Sequence, residues 1–146
     1  MNISIAWDND EHTIIRYVFS KGWNWEELHE IFQETNRMMD TVDHRVCDIM
    51  DFTNASIFVP PHAIYQGRHI LKNERHHNLG MTVIAGSMFV NNIYGMLKRI
   101  MSKDPTEAWD VAFVKDLPEA YSAIEAYNRR KDKDKNEDDT PASENP

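Results

Sequence analysis

The run from Asp43 to Lys98 constrains the fold more than any other part of this chain. Arg45-Val-Cys-Asp-Ile-Met-Asp51 is short, apolar and rich in strand formers, and it leads through a polar loop to Pro60-Pro61 and a helical stretch. Gly80-Met-Thr-Val-Ile-Ala85 repeats the strand signal, then turns at Gly86-Ser87 into a strongly periodic segment. Strand, helix, strand, helix at this spacing predicts a sheet with helical crossovers.

The flanking segments complete the pattern. Ile3, Ile5 and Trp7 alternate with Asn2, Ser4 and Ala6; Asn9-Asp10-Glu11-His12 is a turn, and Ile14–Phe19 is β-branched and aromatic. These predict an N-terminal hairpin. A first helix begins at Asn24, with Glu27 completing a capping-box pattern and Trp23 and Leu28 placed as a hydrophobic staple. Trp25, Leu28, Ile31, Phe32, Thr35 and Met39 recur at helical spacing, and the helix is expected to end near Thr41. The Pro60-Pro61 pair starts a second helix with Ile64, Ile70 and Leu71 on its face. Ser87 caps a third, whose stripe is Phe89, Ile93, Met96, Leu97 and Ile100. Trp109–Val114 is a short strand, and Asp116 with Glu119 caps a last helix through Leu117, Tyr121, Ile124 and Tyr127.

The expected class is therefore α/β, bordering on α+β. The sheet is mixed, with an antiparallel N-terminal hairpin, then βαβα crossovers, and the helices packed mainly on one face. One domain is expected over residues 1–128. From Arg129 the chain is charged and polar and is expected to be a disordered tail to residue 146.

Charge excludes some partners. A formal net charge of −8 over 146 residues lacks the basic footprint of a nucleic-acid binder or of docking on an anionic membrane. No apolar run approaches the roughly 20 residues of a membrane helix, so no membrane insertion is expected. Cys47 is the one cysteine, and the first residues lack the basic and apolar regions of a signal peptide. The expected location is cytoplasmic.

No residue cluster demands a particular chemistry. His62, His69, His76 and His77 lie in one region, but their spacing suits a solvated face better than zinc, so no metal is expected. Asp48 and Asp51 are three apart in a strand and point to opposite faces, which argues against a paired acid–base site. Asp51 is expected to end its strand and accept hydrogen bonds from loop amides, with Thr53, Asn54 and Ser56 following as turn residues. Gly86-Ser87 fits a tight turn and a helix cap rather than a phosphate loop. Ligands of open α/β sheets bind at the carboxyl ends of the strands. That rule makes Asp51, Thr53, Asn54, Ser56, Gly86 and Ser87 the candidate ligand- or partner-binding residues, with no catalytic residue and no cofactor expected. The tryptophans and the methionines of the third helix fit either core packing or an apolar recognition surface.

The element order, with Gly22-Trp-Asn-Trp-Glu-Glu-Leu28 entering the first helix, resembles the SpoIIAA-like proteins, small bacterial relatives of the STAS domain of anti-sigma-factor antagonists. The likeness covers roughly residues 2–127 and is carried by Ile14–Phe19 with Trp23-Asn24-Trp25, the strand ending in Asp51, and Gly80–Gly86. It implies a mixed sheet flanked by helices and a non-catalytic regulatory module acting through protein contacts, as a homodimer. The group's likeness in topology to lipid-carrier domains implies an alternative, a small carrier or sensor of an apolar, lipid-like ligand. Anti-sigma antagonists carry a phosphorylated serine in an Asp-Ser-Ser-Gly-Leu-like segment. Here Ser56 is not followed by Gly-Leu and Pro60-Pro61 replaces the flexible loop, so no phosphorylation site carries over.

Overall fold

The computed structural model describes residues 2–55, 62, 65, 66, 69, 75–86 and 110–138. The alternation at the N-terminus becomes a hairpin: β1 (Ile3–Trp7) and β2 (Ile14–Phe19) pair antiparallel, with Ile3 opposite Phe19 and Trp7 opposite Ile15. Asn9 shapes the turn, because its Oδ1 accepts the N–H groups of Thr13 at 3.0 Å and Ile14 at 3.3 Å. His12 takes the left-handed backbone there (φ 56°) and lays its ring flat on Trp7 at 4.4 Å.

After α1 (Trp25–Asp40) come β3 (Val46–Asp51), β4 (Leu79–Ala85), β5 (Asp110–Val114) and α2 (Leu117–Asp138). The sheet order is β1-β2-β3-β4-β5, and β2 through β5 run parallel. The predicted class and the predicted mixed sheet, an antiparallel hairpin followed by parallel strands, are what the chain adopts. The helices expected from Pro60 and from Ser87 lie outside the described residues, apart from the isolated positions 62, 65, 66 and 69.

The two helices that are described lie on opposite faces of the sheet. Leu28, Ile31, Phe32 and Met39 of α1 pack with Ile3, Ile15, Tyr17, Phe19, Val46 and Met50. Ala120, Ile124 and Tyr127 of α2 pack with Cys47, Ile49, Met81 and Val83. Val46 and Met50 alternate with Cys47 and Ile49 along β3, so the two sets project from opposite sides of one strand. The two described helices thus divide between the faces, one on each. A right-handed crossover commits α1 to one face, but α2 follows the last strand and no crossover rule governs it. Every residue of β3 is buried, so that strand needs apolar cover on both faces, and α2 supplies the second.

The chain also stays helical beyond the expected domain end at residue 128. α2 continues through Asp138, where a disordered tail from residue 129 was expected. Side-chain pairs accompany the first part of the extension: Glu125 meets Arg129 at 3.3 Å, and Arg45, just before β3, reaches Asp132 at 2.9 Å and Asn128 Oδ1 at 3.1 Å. Residues 139–146 lie outside the described residues.

Both capping boxes form in part. Asn24 Oδ1 accepts the Glu27 N–H at 2.9 Å, as predicted, but the Glu27 carboxylate turns away from Asn24. It accepts the N–H groups of Asn2 and Ile3 and so ties the first turn of α1 to β1. Gly22 makes this approach possible: it adopts φ +92° and its carbonyl accepts from Asn2 Nδ2 at 3.0 Å. At α2, Asp116 Oδ1 accepts the Glu119 N–H at 3.0 Å, and Glu119 reaches back to the Lys115 N–H at 3.1 Å.

The C-terminal end of α1 is closed by the loop before β4. Asn78 Nδ2 donates to the Met39 and Val42 carbonyls, each at 3.1 Å. The Asn78 N–H donates to His76 Nδ1 at 3.0 Å, which leaves the ring proton on Nε2, 2.7 Å from Asp40.

At Gly80 the Tyr127 side chain of α2 comes close to the sheet backbone. A Cβ there would stand 2.9 Å from Arg45 Cγ and Cδ and from Tyr127 Cε1. Arg45 can shift, but the buried Tyr127 ring cannot. Gly80→Ala is expected to destabilise the fold by about 1–3 kcal/mol, the usual penalty of overpacking, read as a lowered urea midpoint. An unchanged midpoint would show that α2 rides on the sheet loosely.

Candidate functional site

The carboxyl edge of the parallel strands gathers the sequence-predicted residues that are described. Asp51 ends β3, paired with Val18 of β2 on one side and Ala85 of β4 on the other. It is 4% exposed, and its Oδ1 accepts both the N–H of Thr53, at 2.9 Å, and the Thr53 hydroxyl. The Phe52 N–H continues the ladder to the Ala85 carbonyl at 2.8 Å, and the Ala55 N–H closes a turn onto Phe52 at 3.1 Å. Gly86, next along β4, is buried and donates to the Val114 carbonyl at 3.0 Å. Asp51 thus ends β3 and Gly86 directly follows the neighbouring β4, while Thr53 and Asn54 are exposed in the loop. Ser56 and Ser87 lie outside the described residues.

An aromatic wall stands behind this loop on the α1 side. Phe52 stacks on Phe19 at 4.1 Å, Phe19 meets Trp23 edge-on at 5.2 Å, and Trp23 meets Trp25 edge-on at 5.0 Å. The sequence presents these as a hairpin end, a helix entry and a loop. The parallel register of β2 and β3 is what brings them together.

The histidines separate. His76 caps α1 through Asp40 and stacks on His77 at 4.3 Å, while His69 lies 6.4 Å from His29 of α1 and from Tyr65. Among the described residues no three His, Cys, Asp or Glu side chains are grouped to hold a metal ion. Likewise no described helix is long and apolar enough to cross a membrane.

A second polar site lies deeper, inside the apolar layer between α1 and the sheet. Asp48 pairs directly with Thr82 on β4, and Ile15, two residues before Tyr17 on β2, pairs with Asp48 on the other side. Tyr17 is 0% exposed, Thr82 1% and Asp48 2%. Asp48 Oδ1, Thr82 Oγ1 and Tyr17 Oη are all buried, and none has a hydrogen-bond partner. Thr82 and Thr35 stand near enough to influence Asp48 and Tyr17, but outside hydrogen-bond geometry with them. Burial raises the Asp48 carboxyl to about 7, against a little help to the charged form from Thr82. Burial, and then the neighbouring Asp48, push the Tyr17 hydroxyl well above its usual value. On the opposite face burial raises the Cys47 thiol to about 11, which keeps it protonated and unreactive.

By spacing alone Asp48 reads only as a residue facing away from Asp51. The signal was present all the same: an acid in the middle of Val46-Cys-Asp-Ile-Met50, a segment that otherwise reads as buried on both faces.

No protein-family model, curated protein or solved structure matches this chain.

Proposed function

We propose that this domain is a non-catalytic regulatory module that acts through protein contacts at the carboxyl edge of its parallel strands, with a second copy of the chain as its first partner. The observation that carries this reading is the use of Asp51. Its carboxylate is buried and committed to shaping the 51–55 loop, an arrangement that displays Thr53 and Asn54 instead of offering an acid or base to a substrate. The exposed loop residues are uncharged, so two copies with a net charge of −8 each can meet there without opposing carboxylates. The resemblance to SpoIIAA-like proteins supports the same edge, because it aligns this loop with the segment that anti-sigma antagonists phosphorylate. A cytoplasmic location belongs to the same proposal and is supported by the single, buried cysteine.

The aromatic wall of Phe19, Trp23, Trp25 and Phe52 beside the loop supports a second reading, a carrier of an apolar ligand. One native mass spectrum separates the two. The proposal expects twice the 17.1 kDa chain mass with nothing added, returning to monomer in Asn54→Arg. A monomer with a retained mass of a few hundred daltons, lost on denaturation, would favour the carrier. A bare monomer would overturn both.

A further inference from the structure

We propose that Tyr17, Asp48 and Thr82 form an internal, proton-linked hydration site: when the Asp48 carboxyl gives up its proton, a water molecule enters among the three groups and α1 loosens from the sheet. This device is independent of what the carboxyl edge binds.

The geometry sets the problem. Three polar atoms from three adjacent strands point to one face, in an apolar layer, without partners. A buried carboxylate is ordinarily matched by a cation or by several donors. No described neighbour supplies a cation. The described residues on this side are uncharged: α1 gives Leu28, Ile31, Phe32, Thr35 and Met39, and the strands add apolar side chains such as Ile15, Val46, Met50 and Ile84. Among the described residues the one other titratable group facing Asp48 is the hydroxyl of Tyr17, itself an acid.

Two solutions remain. A neutral carboxyl carries no charge to be matched and is the form an apolar layer tolerates. An ionised carboxylate needs donors, and a buried water typically makes about three hydrogen bonds to otherwise unsatisfied groups, the number this cluster offers. Such a water occupies about 30 Å³ in a layer packed as tightly as a crystal. α1 borders that layer, with the Phe32 ring 5.7 Å from Tyr17, so making room there loosens the helix. On α1 the Thr35 hydroxyl donates back to the Ile31 carbonyl at 2.9 Å, a contact that slightly destabilises and often bends helices. Burial holds the carboxyl near neutrality, which puts the transition within reach of ordinary buffers.

Amide hydrogen exchange at pH 6 and pH 8, corrected for intrinsic exchange, tests this on the full chain. At pH 8 the α1 amides around Thr35 are expected to lose roughly tenfold more protection than the α2 amides around Ile124, the behaviour of a locally opened unit. Asp48→Asn is expected to abolish that selective loss. Equal losses in both helices of the wild type, or the same selective loss in Asp48→Asn, would overturn the proposal. Should Asp48→Asn fail to fold, Thr82→Val serves instead: it removes a donor to the carboxylate, so the α1 loss should move to higher pH. An unmoved transition would count against the site.

Discussion

Asp48→Asn should unfold at a markedly higher urea concentration than the wild type at pH 8, while the two proteins unfold at similar concentrations near pH 4. The sign follows from proton linkage. Asp48 has a folded-state value of about 7, above the ordinary 3.8 that it regains in the unfolded chain. Between those values the folded protein keeps a proton that the unfolded chain has released, so this group makes stability fall as pH rises. The fall runs from about pH 4 to about pH 7 and then levels off. Three pH units at about 1.4 kcal/mol each give a difference of about 4 kcal/mol. Asparagine matches the shape of the neutral acid and cannot ionise, so the variant lacks this slope. Other carboxylates titrate in both proteins and cancel in the comparison. Parallel stability profiles across pH 4 to 8 would mean that Asp48 is already ionised in the folded protein at low pH, with a partner that satisfies it.

Phe19→Ala should cost about 3–5 kcal/mol, the range for emptying an aromatic site in a packed core. Phe19 is fully buried at the end of β2, stacked on Phe52, edge-on to Trp23 and 6.4 Å from Tyr17. The hole would open where β2, α1 and the 51–55 loop meet. Its rigid neighbours, the ring of Trp23 and the ladder bond from Phe52 to Ala85, limit collapse into it. Stability from urea unfolding gives the magnitude, and tryptophan fluorescence of the folded variant should report a changed setting for Trp23. A loss under 1 kcal/mol would show that the wall repacks freely. That outcome would suit an adaptable apolar binding surface better than a fixed scaffold for the loop.

The two sites differ in how far the sequence reveals them. The strands and α1 were legible because alternation, the Asn24 cap and the Leu28–Met39 stripe are local patterns, and local geometry enforces them. Asp51 was legible for the same reason: an acid followed two residues later by threonine is short-range turn chemistry. The Asp48 cluster was not. Its members come from β2, β3 and β4, and only the register that sets Asp48 against Thr82 and Ile15 makes them neighbours. The side on which α2 packs was equally hidden, since no connection follows it to a further strand. The charged residues after Arg129 were read from composition alone. One partner of that stretch, Arg45, lies far away in sequence and is seen only once β3 is placed.

The strand order also bears on how the molecule is made. Each strand pairs with the one synthesised just before it, so the sheet can grow outward in the order of translation, with no gap left open for a later strand to fill. Its two faces are finished at different times. α1 leaves the ribosome early, between β2 and β3, ready to roof the first strands as they form. Cys47, Ile49, Met81 and Val83 must wait for residues 117–127, the last packed segment of the described chain. Until then the sole thiol sits on an apolar surface that α2 has yet to cover, and the nascent chain is open there to oxidation and to chaperones on a side that the finished protein buries.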